Sequence, residues 1–173
     1  MNRAEYKPRI IDATVEKYLR TFGAVCLEGP KWCGKTWTSA EHANSEFYVG
    51  DPTGNFQNRR LAEMDPSLVL GGDAPRLIDE WQEVPALWDA VRFEVDKSGE
   101  KGRFLLTGSS TPKRKGIMHS GTGRIARLRM RPMSLFEMGC SSGRVSLEAL
   151  CHGELTPFVS EDVSLRQLAE AIV

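Results

Sequence analysis

The sequence has no charge of one sign to spare: its 23 lysines and arginines are offset by 23 aspartates and glutamates. That balance gives no long-range attraction to nucleic acid or an acidic membrane, so any charged partner has to be met by a local patch. Cysteine is scarce. Cys26, Cys33, Cys140 and Cys151 form no CxxC pair and stand at no metal-ligand spacing from a histidine. His42, His119 and His152 share no such spacing with one another, and no Ser/His/Asp or Cys/His constellation can be assembled around them; surface or packing roles are expected. The opening MNRAEYKPRI lacks the apolar run of a secretory signal, and no apolar stretch reaches the roughly 18 residues needed to span a bilayer. The expectation is a reduced, cytoplasmic setting with no membrane partner. No internal repeat is visible.

What remains is a chain of 173 residues, enough for one main domain with a buried core. Its apolar residues come in short runs separated by helical patterns. Val15, Tyr18, Leu19 and Phe22 place a helix over 11–22, ended by Gly23. The run 24–27, bounded by glycines, is the candidate first strand, and 36–43 reads as a helix. Strands are expected at 47–49, with a turn after it, at 68–70 with weaker support, and at 77–78, 103–107 and 125–130. Between them, 85–97 reads as a helix with proline at its start and Leu87, Trp88, Val91 and Val95 near one face. Alternating strands and helices argue for parallel strands joined by right-handed crossovers, with helices on both faces of the sheet.

Between the first strand and its helix lies Gly29-Pro30-Lys31-Trp32-Cys33-Gly34-Lys35-Thr36, which matches G-x-x-x-x-G-K-[ST] in full. The residue types follow from the chemistry of a phosphate cradle. Gly29 and Gly34 permit backbone angles a side chain forbids, so successive N–H groups can face phosphate oxygens, aided by the positive end of the next helix. Lys35 is placed to neutralise the β- and γ-phosphates and the Thr36 hydroxyl to hold Mg²⁺, with residues 29–37, Trp37 included, forming the nucleotide site. Trp32 is either a lid over the base or a packing residue, and packing is the expectation.

Leu77-Ile78-Asp79-Glu80 then supplies a strand that delivers Asp79 to the metal and Glu80, as general base, to the attacking water. The alternative is an exposed helix start with Asp79 as its N-cap. A base for water favours hydrolysis over transfer to a small-molecule acceptor. The strand carrying Thr107, Ser109 and Ser110 is expected between the phosphate-loop strand and the Asp-Glu strand, with Ser109 favoured as the hydroxyl that senses the γ-phosphate. No Asn-Lys-x-Asp segment is present to read guanine, which favours ATP.

Lys113, Arg114, Lys115, Arg124, Arg127, Arg129 and Arg131 fall in a stretch free of acidic residues. Three readings stand open for this basic segment, 113–131: a solvated edge strand, a nucleic-acid groove, or an arginine supplied to the γ-phosphate of this or a neighbouring subunit. Arg124, on a glycine-rich tip, is the candidate arginine finger, with Arg127 as its substitute in trans in a homo-oligomer.

Taken together, Tyr6-Lys7-Pro8-Arg9, Glu28 through Thr36, Pro75 through Pro85, Leu105 through Ser109, His119 through Ile125 and Met130 through Glu137 resemble the prokaryotic two-domain ATP-binding proteins, whose N-terminal AAA-type P-loop domain is usually followed by a C-terminal domain of unknown function. The resemblance implies a P-loop NTPase (AAA-type, ASCE) α/β fold, a mainly parallel sheet sandwiched between helices. It implies ATP and Mg²⁺ as ligands, Lys35 and Thr36 at phosphate and metal, Asp79 and Glu80 as the hydrolysis pair, Ser109 near the sensor position and Arg124 as finger. Residues 1–140 are then the ATPase core. Residues 141–173, with helical spacing at Leu165, Leu168, Ala169 and Ile172, begin a helical lid or a linker to a C-terminal domain outside this chain. An ATP-gated switch with little turnover is the rival function.

Overall fold

The computed structural model describes residues 5–109, 118–143, 145–153, 164, 166, 169 and 170. Its first unit, running from Ile10 to Pro132 with the segment up to Tyr6, is built on five strands: β1 (Ala24–Gly29), β2 (Ser45–Tyr48), β3 (Arg76–Asp79), β4 (Phe104–Ser109) and β5 (Ile125–Arg129). They form one sheet in the order β2-β3-β4-β1-β5, with every pairing parallel. The strand ending in hydroxyls, β4, lies between the phosphate-loop strand β1 and the Asp-Glu strand β3, as the sequence pattern predicts.

Parallel strands carry apolar side chains on both faces because helices cover both. Along β1, Ala24 and Cys26 enter one core with Phe104 and Leu106 of β4, Ile78 of β3 and the helix α4 (Ala86–Ser98). Val25 and Leu27 enter the other, with Leu105, Leu77, Leu128 and the helices α1 (Asp12–Thr21) and α2 (Lys35–Glu41). Helix α4 buries Leu87, Trp88, Val91 and Val95, the four residues the pattern puts on its inner face, and ends at Gly99 in the left-handed conformation (φ 68°). Burial pushes the Cys26 thiol well above its ordinary range, so this cysteine is a packing residue.

Two segments depart from the sequence-based expectation. Residues 68–70 are not a strand: Pro66–Val69 is a 3-10 turn, because the Asp65 carboxylate accepts from the Ser67 backbone N–H at 2.9 Å and Pro66 presets the turn backbone. After β2 the expected turn is present, with the Asp51 N–H bonded to the Tyr48 carbonyl at 3.4 Å, but it leads into an unpredicted helix, α3 (Thr53–Met64), in which Gly54, Asn55 and Phe56 take positive φ before regular helix begins.

The second unit comprises Lys7–Arg9 and residues from Met133 onward. Arg9 Nε and Glu137 Oε1 pair at 3.0 Å with both side chains almost fully buried. The other Glu137 oxygen accepts from the Ser134 backbone N–H and hydroxyl, while Ser134 Oγ accepts from the Glu137 N–H, a reciprocal S-x-x-E arrangement. Helix α5 (Leu147–Cys151) follows, capped by Ser146. Of the helix expected over 165–172, residues 166, 169 and 170 are described and helical; the rest lies outside the described residues. Among the described residues no helix is long and apolar enough to cross a membrane.

Leu106 is fully buried at the centre of the sheet. Leu106→Ala is expected to lower the unfolding free energy by about 2–5 kcal/mol. In urea titration this should appear as a lower midpoint with an unchanged slope.

Candidate functional site

The phosphate loop leaves β1 at Gly29 and enters α2 at Lys35, and its two glycines serve different ends. Gly34 has φ 94°, a conformation that only glycine adopts freely. Gly29 has no positive φ; a Cβ there would come within 2.4 Å of the Met130 carbonyl oxygen and 2.9 Å of Cys33 Sγ. Glycine stands at 29 for close backbone approach, which corrects the expectation that both glycines supply special angles. Cys33 is buried beneath the loop, while Pro30, Lys31, Trp32 and, less fully, Trp37 face outward.

Trp32 is 99% exposed and takes φ 68°. Packing inside the domain, the favoured expectation for it, is ruled out by that exposure. An indole fully in water and a left-handed backbone at a bulky residue are both unfavourable.

The Lys35 side chain runs inward, is 6% exposed, and donates from Nζ to the Pro30 carbonyl at 2.8 Å. Among the described residues it forms no ion pair. A buried ammonium held by one neutral carbonyl calls for an anion, because a desolvated cation needs a counter-charge. Thr36, the next residue, is half-buried at the first turn of α2.

Across the sheet, β3 ends at Asp79, which is 9% exposed. The Thr107 hydroxyl on β4 donates to Asp79 Oδ1 at 2.6 Å and accepts from the Glu80 backbone N–H at 3.0 Å. One hydroxyl therefore fixes both residues of the pair. Glu80 itself takes the left-handed conformation (φ 57°, ψ 44°), from which the chain turns into the 3-10 turn Trp81–Glu83. Asp79 is not an N-cap: it is the last residue of a buried strand, and Glu80 occupies the cap position without capping. Thr107, expected among the hydroxyls facing water or phosphate, is fully buried and committed to Asp79 and Glu80. The Ser109 backbone closes β4; its side chain, and all of Ser110, lie outside the described residues.

Among the described residues no three His, Cys, Asp or Glu side chains cluster as metal ligands. The donor set at hand, one hydroxyl at Thr36 and one buried carboxylate at Asp79, fits a hard cation such as Mg²⁺ that takes most of its ligands from phosphate and water.

Arg124 and Arg127 are placed differently. Arg124 directly precedes β5, and its carbonyl accepts from the N–H of Ala24, the first residue of β1. In a parallel sheet this is the end of the strands opposite the phosphate loop, five strand residues from Gly29, or roughly 16 Å. Its Nε donates to Asp96 Oδ1 at 2.6 Å, which holds that carboxyl below its ordinary pKa. Arg127 stacks over the Trp88 ring at 4.7 Å and lies 3.5 Å from Glu28 Oε1. Lys113, Arg114 and Lys115 are outside the described residues. His42 pairs with Asp12 and His119 with Asp89.

Sequence reasoning missed Gln82, whose Nε2 donates to Glu80 Oε2. Only the turn made by Glu80 brings these side chains together.

A family model described as "AAA domain" matches residues 21–139. Uncharacterized proteins of Mycobacterium bovis and Mycobacterium tuberculosis are each 31% identical to the chain over 133 residues, 75% of this chain and 30% of theirs. The matched part thus spans less than a third of the curated relatives.

The Thr107 clasp predicts that Thr107→Val, equal in shape but without the hydroxyl, loses about 1–3 kcal/mol of stability. Thr107→Ser should recover most of it. Equal urea midpoints for Thr107→Val and wild type would contradict this account.

Proposed function

The chain belongs to the AAA domain family, and from that membership we propose that it is an Mg²⁺-dependent ATPase domain that couples hydrolysis to a conformational change. The observation that carries the reading is the buried Lys35 ammonium, which among the described residues is held by one backbone carbonyl, in a glycine-bounded loop. A triphosphate supplies the anion it calls for.

The Thr36 hydroxyl and Asp79 carboxylate are assigned to Mg²⁺, which when bound would neutralise charge on the phosphate oxygens. Lys35 and the loop amides bind and orient the β- and γ-phosphates. Glu80 takes the proton of the attacking water. Ser109 is assigned to sense the γ-phosphate.

Arg124 is proposed to reach the γ-phosphate of a neighbouring copy. Its place at the strand ends opposite the phosphate loop of its own sheet supports action in trans rather than in cis. Arg127, tied to Trp88 and Glu28, is the weaker alternative. The basic segment 113–131 is proposed to meet nucleic acid, and the cytoplasm is the proposed setting.

Glu80→Gln is expected to bind ATP with unchanged affinity and to release phosphate about 10²- to 10⁴-fold more slowly. Wild-type protein that releases none, with Mg²⁺ present and under oligomerising conditions, would favour an ATP-gated switch instead. Rates with and without DNA or RNA at two salt concentrations test the basic segment.

Arg124→Ala and Glu80→Gln should each be inactive alone and regain phosphate release when mixed. In a mixed oligomer an intact Glu80 site can face an intact Arg124. No recovery in a mixture shown to co-assemble would refute the trans assignment.

A further inference from the structure

The hydrolysis assignment gives Glu80 one task, and the residues around it show how the side chain is aimed. Glu80 leaves β3 in a left-handed backbone conformation with its N–H anchored to Thr107 Oγ1. The 3-10 turn that follows closes through the Glu83 N–H to the Glu80 carbonyl at 3.0 Å. That turn carries the side chain of residue 82 back onto that of residue 80, so Gln82 Nε2 meets Glu80 Oε2.

On its other side the amide is packed rather than hydrogen-bonded: Gln82 Oε1 is buried without a hydrogen-bond partner among the described residues. It lies against β4, where a Cβ at Gly108 would come within 3.0 Å of it and within 2.8 Å of Trp81 Nε1. Trp81 anchors the turn: it is 1% exposed and stacks on Trp88 with ring centroids 4.8 Å apart. A carboxylate only accepts, so the amide presents its NH₂ group to Glu80 and its oxygen toward Gly108. The contact is therefore a charge-assisted donation rather than an oxygen–oxygen repulsion. One Glu80 oxygen accepts from Gln82, and among the described residues the other accepts from none.

From this arrangement we infer that Gln82 is the positioning residue of the catalytic base: its side-chain amide fixes the Glu80 carboxylate so that one oxygen is presented to the attacking water. The inference rests on the proposed ATPase reading. It adds a residue that touches neither nucleotide nor metal.

The test uses the whole chain with Gln82→Leu, which keeps bulk and loses the donor, and Gln82→Glu, which keeps shape and sets a second carboxylate against the first. Both are expected to lower kcat for phosphate release roughly 10- to 100-fold, the range associated with a misplaced reacting group. KM for ATP and the melting temperature should stay close to wild type. In a Glu80→Gln background, Gln82→Leu should add no further loss, because the two residues act as a unit.

A second readout does not depend on turnover. The ¹³C resonance of the Glu80 carboxyl, assigned by its disappearance in Glu80→Gln, should shift in Gln82→Leu. Unchanged kcat in both Gln82 variants, or an unmoved Glu80 resonance, overturns the assignment. A rise in KM with kcat preserved, or a proportional fall in melting temperature, also overturns it by marking a packing role. If wild type releases no phosphate while the Glu80 resonance still responds to Gln82→Leu, the ATPase reading fails and the Gln82–Glu80 contact stands.

Discussion

The site depends on one hydroxyl. Thr107 sits fully buried on β4 and bridges to β3, giving its proton to Asp79 and accepting from the Glu80 N–H. Without it, Asp79 would be a desolvated carboxylate with one fewer donor, and the left-handed turn at Glu80 would lose its anchor. Two adjacent acidic residues have different surroundings because the strand ends between them. Asp79 still belongs to the sheet and is buried with it. Glu80 has already turned out of it, half-buried, with its carboxylate met by Gln82.

Charge is arranged on the same scheme on the other side of β4. Strand β1 delivers the loop and β3 delivers the acids, and β4 between them supplies Thr107 to one and packs beside both. Lys35 is buried, and among the described residues its ammonium bonds to a peptide oxygen and to no carboxylate. The loop's cation and the strand's carboxylate are thus each withdrawn from water by the fold itself. At the opposite end of the strands, Arg124 is tied to Asp96 and the neighbouring loop to Asp89 and Trp88, through His119 and the Met118 N–H.

Much of this was legible in the sequence, because the governing signals are short and local. The glycine-bounded run before the phosphate loop, the apolar pair before Asp79-Glu80 and the inner face of α4 each announce themselves within a few residues. The place of β4 between β1 and β3 follows from the fold class those motifs imply. What escaped depends on contacts that spacing does not encode. The 68–70 run has strand composition, but the Asp65–Ser67 capping bonds outweigh it. Helix α3 begins with three left-handed residues that look like a turn. Thr107 reads as one of several hydroxyls until the register of β3 against β4 sets it beside Asp79. Gln82 has no visible partner until Glu80 adopts a conformation that propensity disfavours. Trp32 looks like a core residue by type and is found in solvent.

The tight approach at Gly29 has a consequence for how this loop can change over time. The atom that a side chain there would strike first is the carbonyl oxygen of Met130, and the Met130 N–H is itself bonded to the Glu28 carbonyl at 2.7 Å. A clash with a side chain can be relieved by trimming that side chain elsewhere in the sequence. A clash with a peptide oxygen cannot, because all twenty amino acids carry it. Position 29 therefore has no second-site suppressor at 130: a smaller residue at 33 would relieve the contact with Cys33 Sγ, but the peptide oxygen just past β5 would remain.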